Sequence, residues 1–449
     1  MIAAARVPVG TAALVGSGFP PGPRAPRPLQ TAAWAMRPYG TLERSRARFG
    51  ERFTIEMVGA RFIALSNPAH VKEVFTGDPE VFHAGKGNII LLPFMGENSI
   101  LLLDGARHMA QRRLLLPPLH GDRMRAHVPL MEELAAREVA GWPAGEPLRL
   151  APRMSALTLE VILHVVFGVD DGSPLVDRLR GRLREFINAA ASPWRMLRLM
   201  WHGPRQVWEQ HLFADIFDPV DAVIRELIAE RRAAPQIEAR DDILSLLLLA
   251  RHEGGAPMSD TELRDELLTL LIAGHETTAT ALTWAIERLI RHPHQMAALE
   301  RSVAGDGDPE YLDAVIRETL RLRPVLPFVV RELQEETVVG GWRYPRGACL
   351  TPCIHLVHRD PGLYPEPARF RPERWLSVRP SPYTYFPFGG GVRRCIGSAF
   401  AEAEMRAVLR AVVAGVALTP VRPEPERVRR RVITLVPARG GEVIVRPRA

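Results

Sequence analysis

The chain has 449 residues, 47% hydrophobic and 24% charged, enough apolar material for a sizeable core without covalent staples. Its 58 Lys+Arg exceed its 51 Asp+Glu by 7, but the excess is mostly arginine spread along the chain, which argues against nucleic-acid binding. Three cysteines make no disulfide framework and point to a reducing, cytoplasmic setting.

The first segment is apolar from Val7 to Phe19 but broken by Pro8, Gly10, Gly16 and Gly18. A membrane-spanning helix needs about 20 apolar residues, and a signal peptide a more basic start. Residues 1–19 therefore read as a flexible leader with at most peripheral membrane contact. Residues 20–449 read as a single domain opening on a stiff, proline-rich lead-in, PPGPRAPRP. RFTIEMV and RFIALS then alternate apolar and polar positions about a short turn, which predicts a β-hairpin.

SDTELRDELLTLLIAGHETTATALTWAIERLIRH, residues 259–292, predicts the longest helix, on the order of 50 Å. Ser259 and Glu262 form a capping-box pattern, and Pro293 stops it. LLTLLIAG is apolar all round, which predicts burial. AGHETT, Ala273 to Thr278, sets a glycine, a glutamate and two threonines into that apolar centre. Glycine there costs about 1 kcal/mol against alanine, and a buried glutamate needs a partner. A functional site and a solvated kink between packed helices fit these residues equally well.

A second helix is predicted to open at Asp308-Pro309 and to carry ETLR. There Glu318 and Arg321 share a face and can pair, as a buried bidentate pair or as a weak exposed one. HRDPGLYPEPARFRPERW, residues 358–375, holds five prolines and must be irregular, pinned by side chains. Arg374 within it is a candidate third partner for Glu318 and Arg321.

FPFGGGVRRCIG, residues 386–397, surrounds Cys395 with glycines and two arginines, and a third helix is predicted from about Ile396 to Val413. The helix start and Arg393 and Arg394 favour an anionic sulfur. A free core thiol, a nucleophile and a metal ligand all remain open on these residues. Cys349 and Cys353 complete no zinc spacing and read as small core residues. VITLVPARGGEVIV predicts a second hairpin around Gly440-Gly441. The sum is mainly α, with small β-sheets at one side.

Taken together, FPFGGGVRRCIG, AGHETT, ETLR and FRPERW occur in the order and at the separations of a known family. The sequence resembles the cytochrome P-450 superfamily of heme-thiolate monooxygenases, bacterial soluble type, over nearly its whole length. The resemblance implies one large triangular domain with AGHETT on its long central helix. It implies heme b, with Cys395 as the proximal thiolate ligand of iron, Phe388 beside the sulfur and Gly397 making room for the porphyrin. Ala273 would border the cofactor. His108 and Arg112 of DGARHMAQRR, with Arg331 and Arg393, would meet the propionates. Glu318, Arg321 and Arg374 would form the family's buried charge triad.

Glu276 and Thr277 would be the acid–alcohol pair that delivers protons to dioxygen, the co-substrate. His275 would be structural or lie in the pocket. Electrons would come from NAD(P)H through a ferredoxin or flavodoxin with its reductase, docking in part on Arg113 and Arg394. The expected substrate is lipophilic, a fatty acid or terpenoid, with Phe94, Met95, Leu270, Phe328 and Val329 in the pocket and Trp194, Met196 and Met200 along its walls. The protein would be a monomer. Two rivals stand beside this reading: a peroxide-driven or isomerising heme-thiolate enzyme, and a non-catalytic heme-binding protein. Glu276–Thr277 argues against both.

Overall fold

A computed structural model describes residues 14–168 and 173–448. Its axis is the helix Asp260–Leu289, somewhat shorter than the predicted 259–292. The capping box forms as the sequence implies: Ser259 N–H donates to Glu262 Oε2 at 2.8 Å, and Glu262 N–H donates to Ser259 Oγ at 3.2 Å. The helix runs unbroken through AGHETT. The helix Leu150–Phe167 packs along it, and a Cβ at Gly274 would lie 3.2 Å from Cδ1 of Ile162. The glycine thus sits where two helices approach closely, and that packing offsets its weak helix propensity. Leu150–Phe167 is long and apolar enough to cross a membrane by length and composition, yet here most of it is buried in the core.

The helix carrying Glu318 spans Tyr311–Leu322, and the one after Cys395 spans Ser398–Gly415. Both pack on the central helix and on each other. They share one large core with Leu150–Phe167.

The predicted hairpin forms from Arg52–Met57 and Ala60–Leu65. It continues through Cys349–Pro352 and Arg331–Leu333 to Phe82–His83 in a five-stranded sheet. Ile63 pairs in parallel with Leu350, so the sheet joins distant parts of the chain. A small core of Trp34, Leu42, Phe53, Ile55 and Cys353 lies against it.

Two expectations are corrected. The last part of the expected leader is tied down, since Gly16–Ser17 pairs in parallel with Trp342–Arg343 and Val15 N–H donates to Gly341 O at 2.8 Å. Residues 1–13 lie outside the described residues. Gly440-Gly441 is not a hairpin turn. Thr434–Pro437 pairs back onto Val428–Arg431, while Glu442–Pro447 joins Val416–Pro420 and Pro147–Arg149. Both glycines have positive φ and turn the chain from one sheet to the other. The true hairpin, 428–437, sits over the central helix: Trp284 Nε1 donates to Leu435 O at 2.9 Å, and Leu435 N–H donates to Val325 O at 2.9 Å.

Candidate functional site

The cysteine loop is moulded against Phe75. A Cβ at Gly390 would lie 2.2 Å from the Phe75 ring, and one at Gly391 would lie 2.1 Å from the Phe75 carbonyl oxygen. Gly389 and Gly391 also take φ of +68° and +66°, open mainly to glycine. Cys395 N–H donates to Phe388 O at 2.9 Å, and Phe388 packs half-buried on the main core. The Cys395 side chain is exposed, yet protein atoms crowd around it, so the sulfur lines a recess rather than the outer surface. Burial raises the thiol pKa, while the Gly397 N–H, Arg112 and Arg394 pull it back. The other two thiols are pushed up to about 12 by burial, against one arginine each, Arg331 at Cys349 and Arg46 at Cys353. A Cβ at Gly397 would meet nothing within 4 Å, so space is open beside the sulfur.

A cationic rim adjoins this recess. His108 is buried, and burial followed by Arg393, Arg112 and Arg331 lowers its pKa to about 3. Buried Arg331 is lowered to about 9 by burial first and then by Arg393. Its nitrogens donate to the carbonyls of Val330 at 2.7 Å and Gly390 at 3.3 Å. Arg393 donates to Ile100 O at 3.1 Å, to Leu103 O and to the Asp104 carboxylate. Among the described residues, Asp104 is the one acid bonded to any of the three arginines. This surplus of guanidinium fits an anionic group, as the two carboxylates of a heme would be.

Between Leu263 and Ile290 the central helix is buried except at Ile272, Ala273, Gly274, Glu276 and Thr277. That half-open stripe is most of AGHETT. Thr277 Oγ1 donates to Ala273 O at 2.6 Å, leaving its lone pairs free to accept. Glu276 is held by Arg431, whose Nη1 lies 3.0 Å from Oε1. Burial raises the Glu276 pKa and Arg431 opposes the rise. His275 turns the other way: its Nε2 lies 3.3 Å from Ser155 Oγ, and burial lowers its pKa to about 4.

Glu318, Arg321 and Arg374 meet beneath the irregular segment. Arg321 grips Glu318 with two hydrogen bonds of 2.8 Å, both residues fully buried. Arg374 Nε donates to Glu318 at 3.2 Å. Arg321 also donates to the carbonyls of His358 at 2.7 Å, Pro367 at 2.9 Å and Arg369 at 3.1 Å. One guanidinium therefore pins a segment that has no regular backbone pairing of its own.

The expected pocket residues divide. Phe94 and Met95 are buried in the main core, Phe94 against Phe186 and Phe213 at centroid distances of 6.3 Å and 5.5 Å. Leu270 is buried on the central helix just before the open stripe. Val329 abuts the cysteine loop, since a Cβ at Gly389 would lie 3.4 Å from its Cγ1. Phe328 is corrected: its ring packs on Trp34 and Phe62, each at 5.5 Å, in the small core beside the sheet. Trp194 is corrected too: it points outward, 79% exposed. Arg394 is exposed, whereas Arg113 is engaged by Glu253.

Sequence reasoning missed several partners. Trp375 Nε1 and Arg371 N–H both donate to Glu318, at 2.9 Å and 2.8 Å. The pairing of Trp375 with Arg374 in PERW was a signal for the first. His358 Nε2 accepts from Phe386 N–H at 3.0 Å, tying the irregular segment to the start of the cysteine loop. Arg431 and Asp104 carried no local signal, because each acts on residues brought near only by folding.

The family model described as Cytochrome P450 matches residues 19–440. "Putative cytochrome P450 135B1" of Mycobacterium tuberculosis is 42% identical over 445 residues, covering 96% of this chain and 92% of that protein. "Putative cytochrome P450 137" of the same organism is 38% identical over 440 residues, at 96% and 92% coverage. Among solved structures, a retinoic acid-bound cyanobacterial CYP120A1 superposes with a TM-score of 0.81 at 23% identity, over 96% of this chain and 100% of that one. The cytochrome P450DA heme domain gives 0.81 at 24% identity, over 98% of each chain. These two show the fold. With the family model spanning nearly the whole chain and curated relatives at this identity, the chain belongs to the cytochrome P450 family.

Proposed function

We propose that this heme-thiolate monooxygenase hydroxylates or epoxidises a lipophilic small molecule, a fatty acid or terpenoid. It would draw electrons from NAD(P)H through a ferredoxin or flavodoxin and its reductase. The observation that carries the reading is a recessed, exposed Cys395 sulfur beside a rim of arginines short of acids. Heme b, when bound, supplies the redox chemistry that activates dioxygen.

The chain's own residues divide the remaining work. Cys395 holds the iron through its sulfur, helped by the Gly397 N–H and the positive charge of Arg112 and Arg394. Arg112, Arg331, Arg393 and His108 would orient the cofactor edge, His108 as a hydrogen-bonding group. Ala273 borders the cofactor on the open stripe. Glu276 is a carboxyl whose pKa burial raises and Arg431 restrains, which favours its proton-donating form more than water would. Thr277 offers acceptor lone pairs one residue away. The buried Phe94, Met95 and Leu270 keep the neighbouring core apolar and dry. The exposed Arg394 presents positive charge to an acidic electron donor.

A peroxide-driven enzyme takes its oxygen already reduced, and an isomerising enzyme or a heme carrier without activity delivers no protons to dioxygen. The open Glu276 and Thr277 stripe supports dioxygen activation over these. The protein is read as a cytoplasmic monomer. The test is the carbon monoxide spectrum of the reduced protein. A red-shifted Soret band of thiolate ligation is expected, and Cys395→Ala should abolish it. Protein that carries no heme, or a band that survives in the variant, would overturn the reading. A low-spin to high-spin titration with fatty acids and terpenoids then sorts the substrate class.

A further inference from the structure

The strand Val428–Arg431 carries three arginines in a row. Arg431 is committed to Glu276. Arg429 is exposed and Arg430 half-buried, and neither has a bonded acid among the described residues. Burial lowers the Arg430 pKa with no nearby charge to counter it. Across from them stands the helix Pro193–His202. Its Met196, Leu197 and Met200 line a cleft of about 450 Å³ together with Arg429, Arg430 and Arg431. Leu197 and Met200 remain 53% and 41% exposed, so this apolar wall lacks a covering group.

The two walls ask for different chemistry. A half-buried guanidinium without an acid favours an anion, and arginine's planar fork matches a carboxylate. Methionine and leucine favour an apolar chain, methionine adapting to its shape. The volume lies in the range of small-molecule sites, about 300–1,000 Å³. A free inorganic anion would leave the apolar wall unused, and a neutral hydrocarbon would leave the arginines unused. We infer that this cleft recognises an apolar chain ending in a carboxylate, with Arg429 and Arg430 on the carboxylate and Met196, Leu197 and Met200 along the chain. The hairpin that forms one wall also delivers Arg431 to the central helix, so the ligand is received at the edge of the half-open stripe. Oxidation of the bound chain rests on the proposed function, but binding itself needs no turnover.

The experiment is calorimetric titration of the full-length protein, as purified with its cofactor, with dodecanoate, dodecan-1-ol and acetate. Dodecanoate is expected to bind about tenfold more tightly than the alcohol, and acetate not at all. Arg429→Gln/Arg430→Gln should bring acid and alcohol to within about twofold of each other, leaving the alcohol's affinity in place. Arg429→Lys/Arg430→Lys should keep most of the preference, which separates a lost charge from a lost fold. Equal binding of acid and alcohol by the parent protein overturns the proposal. So does a preference that survives the glutamine variant, or acetate binding as well as dodecanoate. The carbon monoxide spectrum is recorded on the same preparations. An arginine-dependent preference in protein without the thiolate band would sustain the cleft while sinking the monooxygenase reading.

Discussion

Nη1 of Arg431 stands 3.0 Å from Oε1 of Glu276 and 3.3 Å from Oε2, so a C-terminal hairpin grips a carboxylate 155 positions earlier, midway along the central helix. Burial raises the Glu276 pKa and Arg431 restrains it. Arg431→Gln removes the restraint, so Glu276 should hold its proton to higher pH. The alkaline limb of the kcat profile, where a proton-donating acid is lost, then moves to higher pH, and Arg431→Lys moves it part of the way back. Glu276→Gln should lower kcat by about 10²-fold or more at every pH. A kcat profile identical in the wild type and Arg431→Gln would remove Glu276 from the proton path.

Glu318, itself fully buried, accepts from Arg321, Arg374, Trp375 and the Arg371 N–H. Removing its charge strands the two guanidinium groups. Glu318→Ala should therefore lose about 3–5 kcal/mol of stability. Arg321→Lys should also fail, because an ammonium cannot reach the carboxylate and three carbonyls at once. Urea unfolding and the heme content of purified protein measure both, and a loss no larger than that of a surface substitution would count against the triad as the anchor of the irregular segment.

Glu404, on the helix after Cys395, is fully enclosed, and burial raises its pKa well above the carboxylate range against a hydrogen bond from Thr278. Glu266 is alike, with Asp265 adding to the rise from burial. A raised folded-state pKa gives stability that is full below the unfolded carboxyl pKa and is lost as pH rises through the folded value. Wild-type stability should thus fall toward alkaline pH. Glu404→Gln should match the wild type within about 1 kcal/mol near pH 4, gain on it by about 1.4 kcal/mol per pH unit as pH rises toward the folded value, and so flatten that fall, and the added Glu266→Gln should flatten it further. Denaturant midpoints across the pH range decide it; a slope the variants leave untouched would show that both acids are ionised.

Among the described residues the hydrogen-bond partners of buried Arg331 are carbonyls alone, whereas burial and neighbouring arginines lower the His108 pKa to about 3 and favour its neutral form. Losing the charged group should matter more than losing the neutral one. Arg331→Gln should speed heme loss about tenfold, and His108→Phe should speed it less. Transfer of heme to apomyoglobin, followed at several pH values, measures all three rates.

What could be read from the chain followed locality. Ser259 and Glu262 announced a helix start, and Glu318 and Arg321 an ion pair, because each pair lies within one helical turn. Cys395 was conspicuous through its glycines, whose need became plain only when Phe75 was found pressed against them. The Gly440-Gly441 pair misled because a glycine bend between two sheets has the same sequence signature as a hairpin turn. Phe328 misled because its backbone neighbour Val329 does face the cysteine loop, and successive side chains in extended chain point opposite ways. Arg431 was invisible because its meaning depends on a fold that sets the hairpin across the central helix.

The pairing of Ile63 with Leu350 carries a consequence for synthesis. The hairpin Arg52–Leu65 leaves the ribosome early, but its next strand is translated about 290 residues later, and at about 5–20 residues per second the wait is on the order of 15–60 s. Throughout it, the edge at Ala60–Leu65 and the apolar side chains of Phe53, Ile55, Ile63 and Leu65 lack their final cover. Maturation in the cell should therefore depend on chaperones that shield a nascent amino-terminal strand pair, and slowing translation between residues 65 and 349 should lower the yield of folded protein.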